Sequence, residues 1–229
     1  MTASSMNEVA VVELRQYTLV PGRRDEMISI FERHLIEPQE DVGMRVIGHF
    51  RDQVDPDRFV WLRGFRDMPS RRAALEAFYN GALWHEHRDA VNATIVDSDD
   101  VLLLRPAPGS SFGNGAQAAG EGGPIVATIW LFAQPVPAET MRVFTQVVAS
   151  RPAGAGATPI ALLVTEPSEN DFPRLPVREG ENVVVSLARF HDAAAYEAGA
   201  AELVSALGKR LAGPPQPLRL EPAERSRLA

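Results

Sequence analysis

The chain of 229 residues has no cysteine and one lysine, Lys209, and each shortage removes chemistry. Without cysteine there is no disulfide framework, thiolate metal site or cysteine nucleophile, and a reducing, cytoplasmic location is the expectation. Lys209 falls in the last expected helix, which leaves Schiff-base catalysis without a good candidate. No apolar run approaches the roughly 18 to 20 residues that a membrane span needs. Met1 to Ala10 hold neither arginine nor lysine nor an apolar run of signal-peptide length, so no targeting segment is read there. A net charge of −7 argues against the clustered positive surface that nucleic acid or an anionic membrane requires, and neither partner is expected. Dinucleotide, phosphate-loop, nucleophile-elbow and metalloprotease motifs are missing as well.

What is present reads as two halves. Pro106 to Gly123 is rich in Gly, Ala and Ser and nearly empty of large apolar residues. The expected division is a first domain over 1–106, a linker over 107–123 and a second domain over 124–229. In the first half Val9 to Leu19, Arg45 to Gln53, Arg58 to Phe65 and Val101 to Leu104 have strand character. Arg24 to Leu35 sets Met27, Ile28, Phe31 and Leu35 in one helical stripe, and a second helical stretch runs from Ser70 to Ala93 with a break near Gly81. The second half repeats this order. Ile125 to Phe132, Ile160 to Thr165, Asn182 to Phe190 and Leu218 to Leu220 are strands, with helices over Ala138 to Ala149 and Ala193 to Leu211. Short echoes support duplication: Phe65-Arg-Asp67 with Phe190-His-Asp192, and Leu104-Arg-Pro-Ala107 with Leu220-Glu-Pro-Ala223. The predicted fold is α+β, two ferredoxin-like β-α-β-β-α-β units packed as a pseudo-dimeric barrel. The chain is expected as a monomer that closes its own barrel, or as a homodimer.

Strand parity then selects candidate site residues. If the helix-covered face is the aliphatic one, Val12 and Leu14 occupy it, and Glu13, Arg15 and Tyr17 face the barrel lumen. By the same rule Val60, Leu62 and Gly64 sit under the helices, and Phe59, Trp61, Arg63 and Phe65 are left for the lumen or for a subunit contact. Aromatic walls with two arginines suit a flat, partly anionic ligand. The alternative is a buried Glu13 to Arg15 pair with ordinary aromatic packing. His49 is a candidate general base or haem ligand, provided that its parity faces the lumen. His85 and His87, two residues apart on a helix, point about 200° apart and cannot chelate together, so no metal is expected.

These residues carry a resemblance. Glu13-Leu-Arg-Gln-Tyr-Thr-Leu-Val-Pro-Gly22, Gly48, Trp61-Leu-Arg-Gly-Phe65, and Arg71-Arg-Ala-Ala-Leu75 before Trp84 resemble the NIPSNAP family of the dimeric α+β barrel superfamily over roughly residues 9 to 107. The second half resembles a diverged copy, in which Val126, Thr128 and Trp130 stand where the first has Glu13, Arg15 and Tyr17. The sequence departs from the family where Gly81-Ala-Leu replaces an Asp-Pro before Trp84, and where Arg63 replaces an aromatic. The resemblance implies a small-molecule site in the first half and carries over Glu13, Arg15, Tyr17 and Trp84; joined to the residues that strand parity selects, the candidates are Glu13, Arg15, Tyr17 and His49 for chemistry and Trp61, Arg63, Phe65 and Trp84 for ligand contact. The resemblance implies an oxygenase or isomerase without a cofactor, acting on an aromatic or polyketide-like anion. The alternative is a non-catalytic binding or interaction protein with a filled lumen.

Overall fold

The computed structural model describes residues 9–108, 110, 123–149 and 156–228. The expected linker, 107–123, lies for the most part, at 109 and 111–122, outside the described residues. Two compact units form. The first runs to Arg105 and takes in two later segments, Glu166–Glu179 and Pro222 onward; the second comprises Pro106–Thr165 and Gly180–Glu221.

In the first unit, β1 (Val11–Leu19), β2 (Arg45–Asp52), β3 (Arg58–Phe65) and β4 (Ile95–Pro106) form an antiparallel sheet in the order β4-β1-β3-β2. Residues opposite each other on antiparallel strands share a face. The pairing Glu13↔Arg63, Arg15↔Trp61, Tyr17↔Phe59 and His49↔Trp61 therefore sets the chemically interesting side chains side by side. Over this face pack α1 (Arg24–Ile30), α2 (Ile36–Asp41), α3 (Met68–Tyr79) and α4 (Ala82–Asn92). Met27, Ile28, Phe31, Leu35, Leu75 and Phe78 from the helical layer share a core with Tyr17, Phe59, Trp61 and Phe65 from the sheet.

The helix that the sequence ends at Leu35 continues to Asp41 through a π-helical turn, Phe31–Leu35. Pro38 has no N–H to offer the carbonyl of His34 four residues back, so the ordinary α register cannot continue across it. Strand β4 is also longer than the apolar run Val101 to Leu104 suggests, because its first half carries Asp97, Asp99 and Asp100, with Asp97 and Asp99 exposed.

The second unit repeats the plan. β5 (Ile125–Phe132), β6 (Ala157–Thr165), β7 (Asn182–Phe190) and β8 (Gln216–Pro222) pair in the order β6-β7-β5-β8, with α5 (Ala138–Ala149) and α6 (Ala193–Leu207) against them. The echo between Phe65-Arg-Asp67 and Phe190-His-Asp192 has a structural meaning. Asp67 caps α3 by accepting from the Ser70 amide at 2.7 Å, and Asp192 caps α6 by accepting from the Ala195 amide at 2.8 Å. Each unit is thus a β-α-β-β-α-β fold, as the sequence pattern predicts. No helix among the described residues is long and apolar enough to cross a membrane.

On the sheet face away from the helices in the first unit, Gly48 lies over the Phe50 ring. A Cβ at Gly48 would come within 2.7 Å of Phe50 Cζ, on a ring that is fully buried. Gly48→Ala is therefore expected to lower unfolding stability by about 1 to 3 kcal/mol, the usual cost of overpacking, in a denaturant titration.

Candidate functional site

The site grows from the first strand. With side chains alternating, Glu13, Arg15 and Tyr17 fall on one face, and the register with β3 adds Arg63 and Trp61 beside them. Glu13 is fully buried and accepts from three arginines: Arg15 Nη1 at 2.7 Å on Oε2, Arg63 Nε at 2.8 Å on Oε2, and Arg71 Nε at 2.7 Å on Oε1. Burial works against its charge, yet the guanidinium groups of Arg63, Arg15 and Arg71 hold its carboxyl well below the usual carboxylate range. Arg15 in turn donates from Nε to the Tyr17 hydroxyl oxygen at 3.0 Å. Its guanidinium also lies 5.4 Å from the Tyr17 ring centroid and 5.7 Å from that of Trp61, while Arg63 lies 5.1 Å from Trp61 and 5.6 Å from Phe65.

Between this sheet and the helices lies a cavity of about 100 Å³. Its walls are mostly aromatic, with Tyr17, Phe31, Trp61, Phe78, Tyr79 and Trp84, and polar contacts come from Gln39, Asn92 and Ser98. The Trp61 Nε1–H is buried and has no hydrogen-bond partner among the described residues. Because Tyr17 accepts from Arg15, its own O–H is left to donate. Burial raises the Tyr17 phenol, against the pull of Arg15, so it enters chemistry as a donor.

The faces are the reverse of the parity assignment. Glu13, Arg15, Tyr17, Trp61, Arg63 and Phe65 lie on the helix-covered face and not on the opposite, aliphatic one, which carries the buried Val12, Leu14, Val60 and Leu62. The rule that helices cover the more aliphatic face fails here because the charges are paired beneath the helices: Glu13 with Arg15 and Arg63 across the strands and with Arg71 from α3, and Arg71 in turn with Asp171. These side chains therefore do not line a lumen on the aliphatic face, and Trp61 and Trp84 line a cavity between the sheet and the helices.

Of the expected residues, the structure brings Glu13, Arg15, Tyr17, Trp61 and Arg63 together. Trp84, half-buried on α4, packs at 5.7 Å from Phe78 and 4.9 Å from Tyr79. Phe65 packs in the same core, with its ring centroid 5.6 Å from the Arg63 guanidinium, and is not among the residues that line the cavity. His49 lies on the helix side but behind Phe31, with ring centroids 5.2 Å apart. Its Nε2 is 2.8 Å from Glu32 Oε1, which also accepts from the Arg225 amide, and its Nδ1 is buried. Neither nitrogen meets open volume, so the site does not fit a haem or a proton relay to the cavity. Among the described residues no group of three His, Asp or Glu could hold a metal ion; His87 instead stacks on His34, with centroids 4.1 Å apart. Sequence reading missed Arg71, although it recurs on the stripe Arg71, Ala74, Leu75 and Phe78 that α3 buries, a 3.6-residue pattern open to detection. No local signal announces Asn170 and Asp171, which accept from Arg71 Nη1, or Phe172, which stacks on Tyr79 with centroids 6.1 Å apart.

The NIPSNAP family pattern matches residues 12–111. Residues 12–111 are a NIPSNAP domain. Among solved structures, an anthrone oxidase-like protein aligns over 98% of this chain and 96% of its own, at 15% identity and a TM-score of 0.60. A candidate monooxygenase from Lactobacillus acidophilus aligns over 93% of this chain and 94% of its own, at 13% identity and a TM-score of 0.54. A NIPSNAP-like domain protein from Burkholderia xenovorans covers 44% of this chain and 87% of its own, at 28% identity and a TM-score of 0.40. No curated protein matches. The full-length likenesses show the fold, two α+β units in one chain, with the NIPSNAP domain as the first.

Two expectations follow. Glu13→Gln leaves three buried guanidinium groups short of their shared counter-charge, and a loss of about 3 to 5 kcal/mol or more is expected on denaturant unfolding. His49 is held below its ordinary value of 6.5, chiefly by burial and against the pull of Glu32. A histidine kept neutral in the fold binds its proton better when unfolded, so stability falls as pH drops through about 6.5 and goes on falling toward the depressed folded value. Comparing thermal midpoints across this window, His49→Gln is expected to flatten that part of the pH dependence.

Proposed function

We propose that the NIPSNAP domain binds a small aromatic metabolite bearing an enolate, phenolate or carbonyl oxygen in the cavity between its sheet and its helices. The observation that carries this reading is the Arg15 to Tyr17 hydrogen bond at the cavity wall, which frees the Tyr17 O–H to donate and places a cation behind it. The unpartnered Trp61 N–H offers a second donor to a ligand oxygen. Donors fixed in place before the ligand arrives need no reorganisation when negative charge gathers on it. An engineered apolar cavity of about 150 Å³ holds benzene. The volume here, about 100 Å³, therefore favours a single ring over a multi-ring polyketide skeleton.

The names of the full-length relatives, an anthrone oxidase-like protein and a candidate monooxygenase, support a reaction with dioxygen, read here in a form that needs no cofactor. In that form a ring-bound CH2 and one O2 become a carbonyl and one water, the electrons coming from the substrate's own enolate. The first proton leaves to solvent before binding, because Glu13 is committed to its arginines and the described lining residues include no free carboxylate or imidazole. Arg15 and Tyr17 then stabilise the oxyanion. The same lack of a base favours a second reading, a carrier that holds the anion without converting it. Dioxygen uptake with a hydroxylated aromatic ketone separates the two.

4-Nitrophenol and toluene, similar in size, test the site by calorimetric titration. 4-Nitrophenol is expected to bind at least about tenfold more tightly, and Tyr17→Phe to remove about tenfold of that advantage, the worth of one hydrogen bond to a charged oxygen. Equal affinity for the two probes, or a Tyr17→Phe protein that keeps the whole advantage, would overturn the reading.

A further inference from the structure

The segment Glu166–Glu179, between β6 and β7, belongs by sequence to the second half and by packing to the NIPSNAP unit. Both ends are pinned to β4: the Glu166 amide donates to the Leu103 carbonyl at 2.9 Å, and the Arg178 amide to the Val101 carbonyl at 2.8 Å. Between these points the chain is held by its own bonds. Asn170 Nδ2 donates to the Leu175 carbonyl at 2.9 Å and Asn170 Oδ1 accepts from the Phe172 amide at 3.2 Å, while the Leu175 amide donates to the Phe172 carbonyl at 3.0 Å. This is a built strap, and four of its side chains reach the site. Leu175 lines the cavity, Phe172 is buried against Tyr79, and Asn170 and Asp171 both accept from Arg71, which also pairs with Glu13.

We propose that this strap is the specificity element of the NIPSNAP cavity, Leu175 and Phe172 setting the size of ligand it admits and Asp171 setting its charge. The inference rests on the function proposed above. The size argument is geometric. Leu175 is a wall of the cavity itself, and Phe172 fixes the Tyr79 ring that forms another wall. The charge argument is a count. Arg15, Arg63 and Arg71 bring three positive charges against the carboxylates of Glu13 and Asp171, so the cluster holds one positive charge in excess. A ligand with one negative charge closes that balance, and a buried charge left uncompensated is costly. Asp171 is the one of the two carboxylates at the edge of the cluster, with its side chain 22% exposed, so its removal disturbs charge more than packing.

Intact protein and the variants Leu175→Ala and Asp171→Asn are titrated with 4-nitrophenol, whose yellow band reports the phenolate, and with the larger 1-naphthol; thermal midpoints are recorded alongside. Leu175→Ala is expected to raise the affinity for 1-naphthol relative to 4-nitrophenol by about tenfold, as removing part of an apolar wall does for a larger ligand. Asp171→Asn is expected to leave that ratio alone and to increase the bound phenolate fraction at a given pH. Unchanged probe ratio in Leu175→Ala, or an unchanged phenolate fraction in Asp171→Asn, would overturn the strap's role while the intact protein still binds. Failure of the intact protein to bind either probe would overturn the proposed function, and the strap's role with it.

Discussion

A single carboxylate, Glu13, decides how the NIPSNAP unit is built. Three guanidinium groups from two strands and one helix converge on its two oxygens at 2.7 to 2.8 Å, and none of the four residues is exposed. Each of these charges alone would be expensive to bury, and together they are stable only in a geometry where every pairing is made. The constraint reaches outward along the sheet. Glu13 fixes Arg15, Arg15 fixes the hydroxyl of Tyr17, and Tyr17 with Trp61 gives the cavity its polar end. Arg71 carries the same constraint into α3 and on to Asp171. Glu13 is therefore a counter-ion that positions the donors.

The spacing of Glu13, Arg15 and Tyr17 is legible because a strand repeats every two residues, so any alternating trio must share a face. The two-copy organisation was legible too, since the helix caps Asp67 and Asp192 stand in matching tripeptides. Which face the trio occupies was not. That depended on Arg71, a residue 58 positions from Glu13, and on whether its charge was turned inward. The strap was still less accessible, because Asp171 and Phe172 meet Arg71 and Tyr79 across about a hundred residues and carry no periodic signal of their own. His49 shows the limit of residue type as a guide: its parity is right, but Glu32 and Phe31 enclose it before it reaches the cavity.

The second unit shows what the same fold does without the carboxylate. Val126 and Thr128 stand where the first has Glu13 and Arg15, and Trp130 stands where it has Tyr17. Trp130 is buried, donates from Nε1 to the Ser186 hydroxyl at 2.9 Å and packs on Phe144 with centroids 5.7 Å apart. A single indole with a satisfied N–H takes up the space, and ordinary apolar packing with Phe132, Val184, Leu203 and Leu207 holds the unit together. One copy keeps a charged interior beside a cavity; in the other, the described residues around Trp130 form an apolar cluster.

Glu13 stays ionised under its three arginines wherever the protein is folded. The direct test follows the side-chain carboxyl carbon of Glu13 by 13C NMR as pH is lowered through the ordinary carboxylate range, about 4.3. A flat response is expected until the protein unfolds, because proton uptake would break the pairing with Arg63, Arg15 and Arg71. A titration midpoint in the ordinary range, with the fold intact, would contradict it.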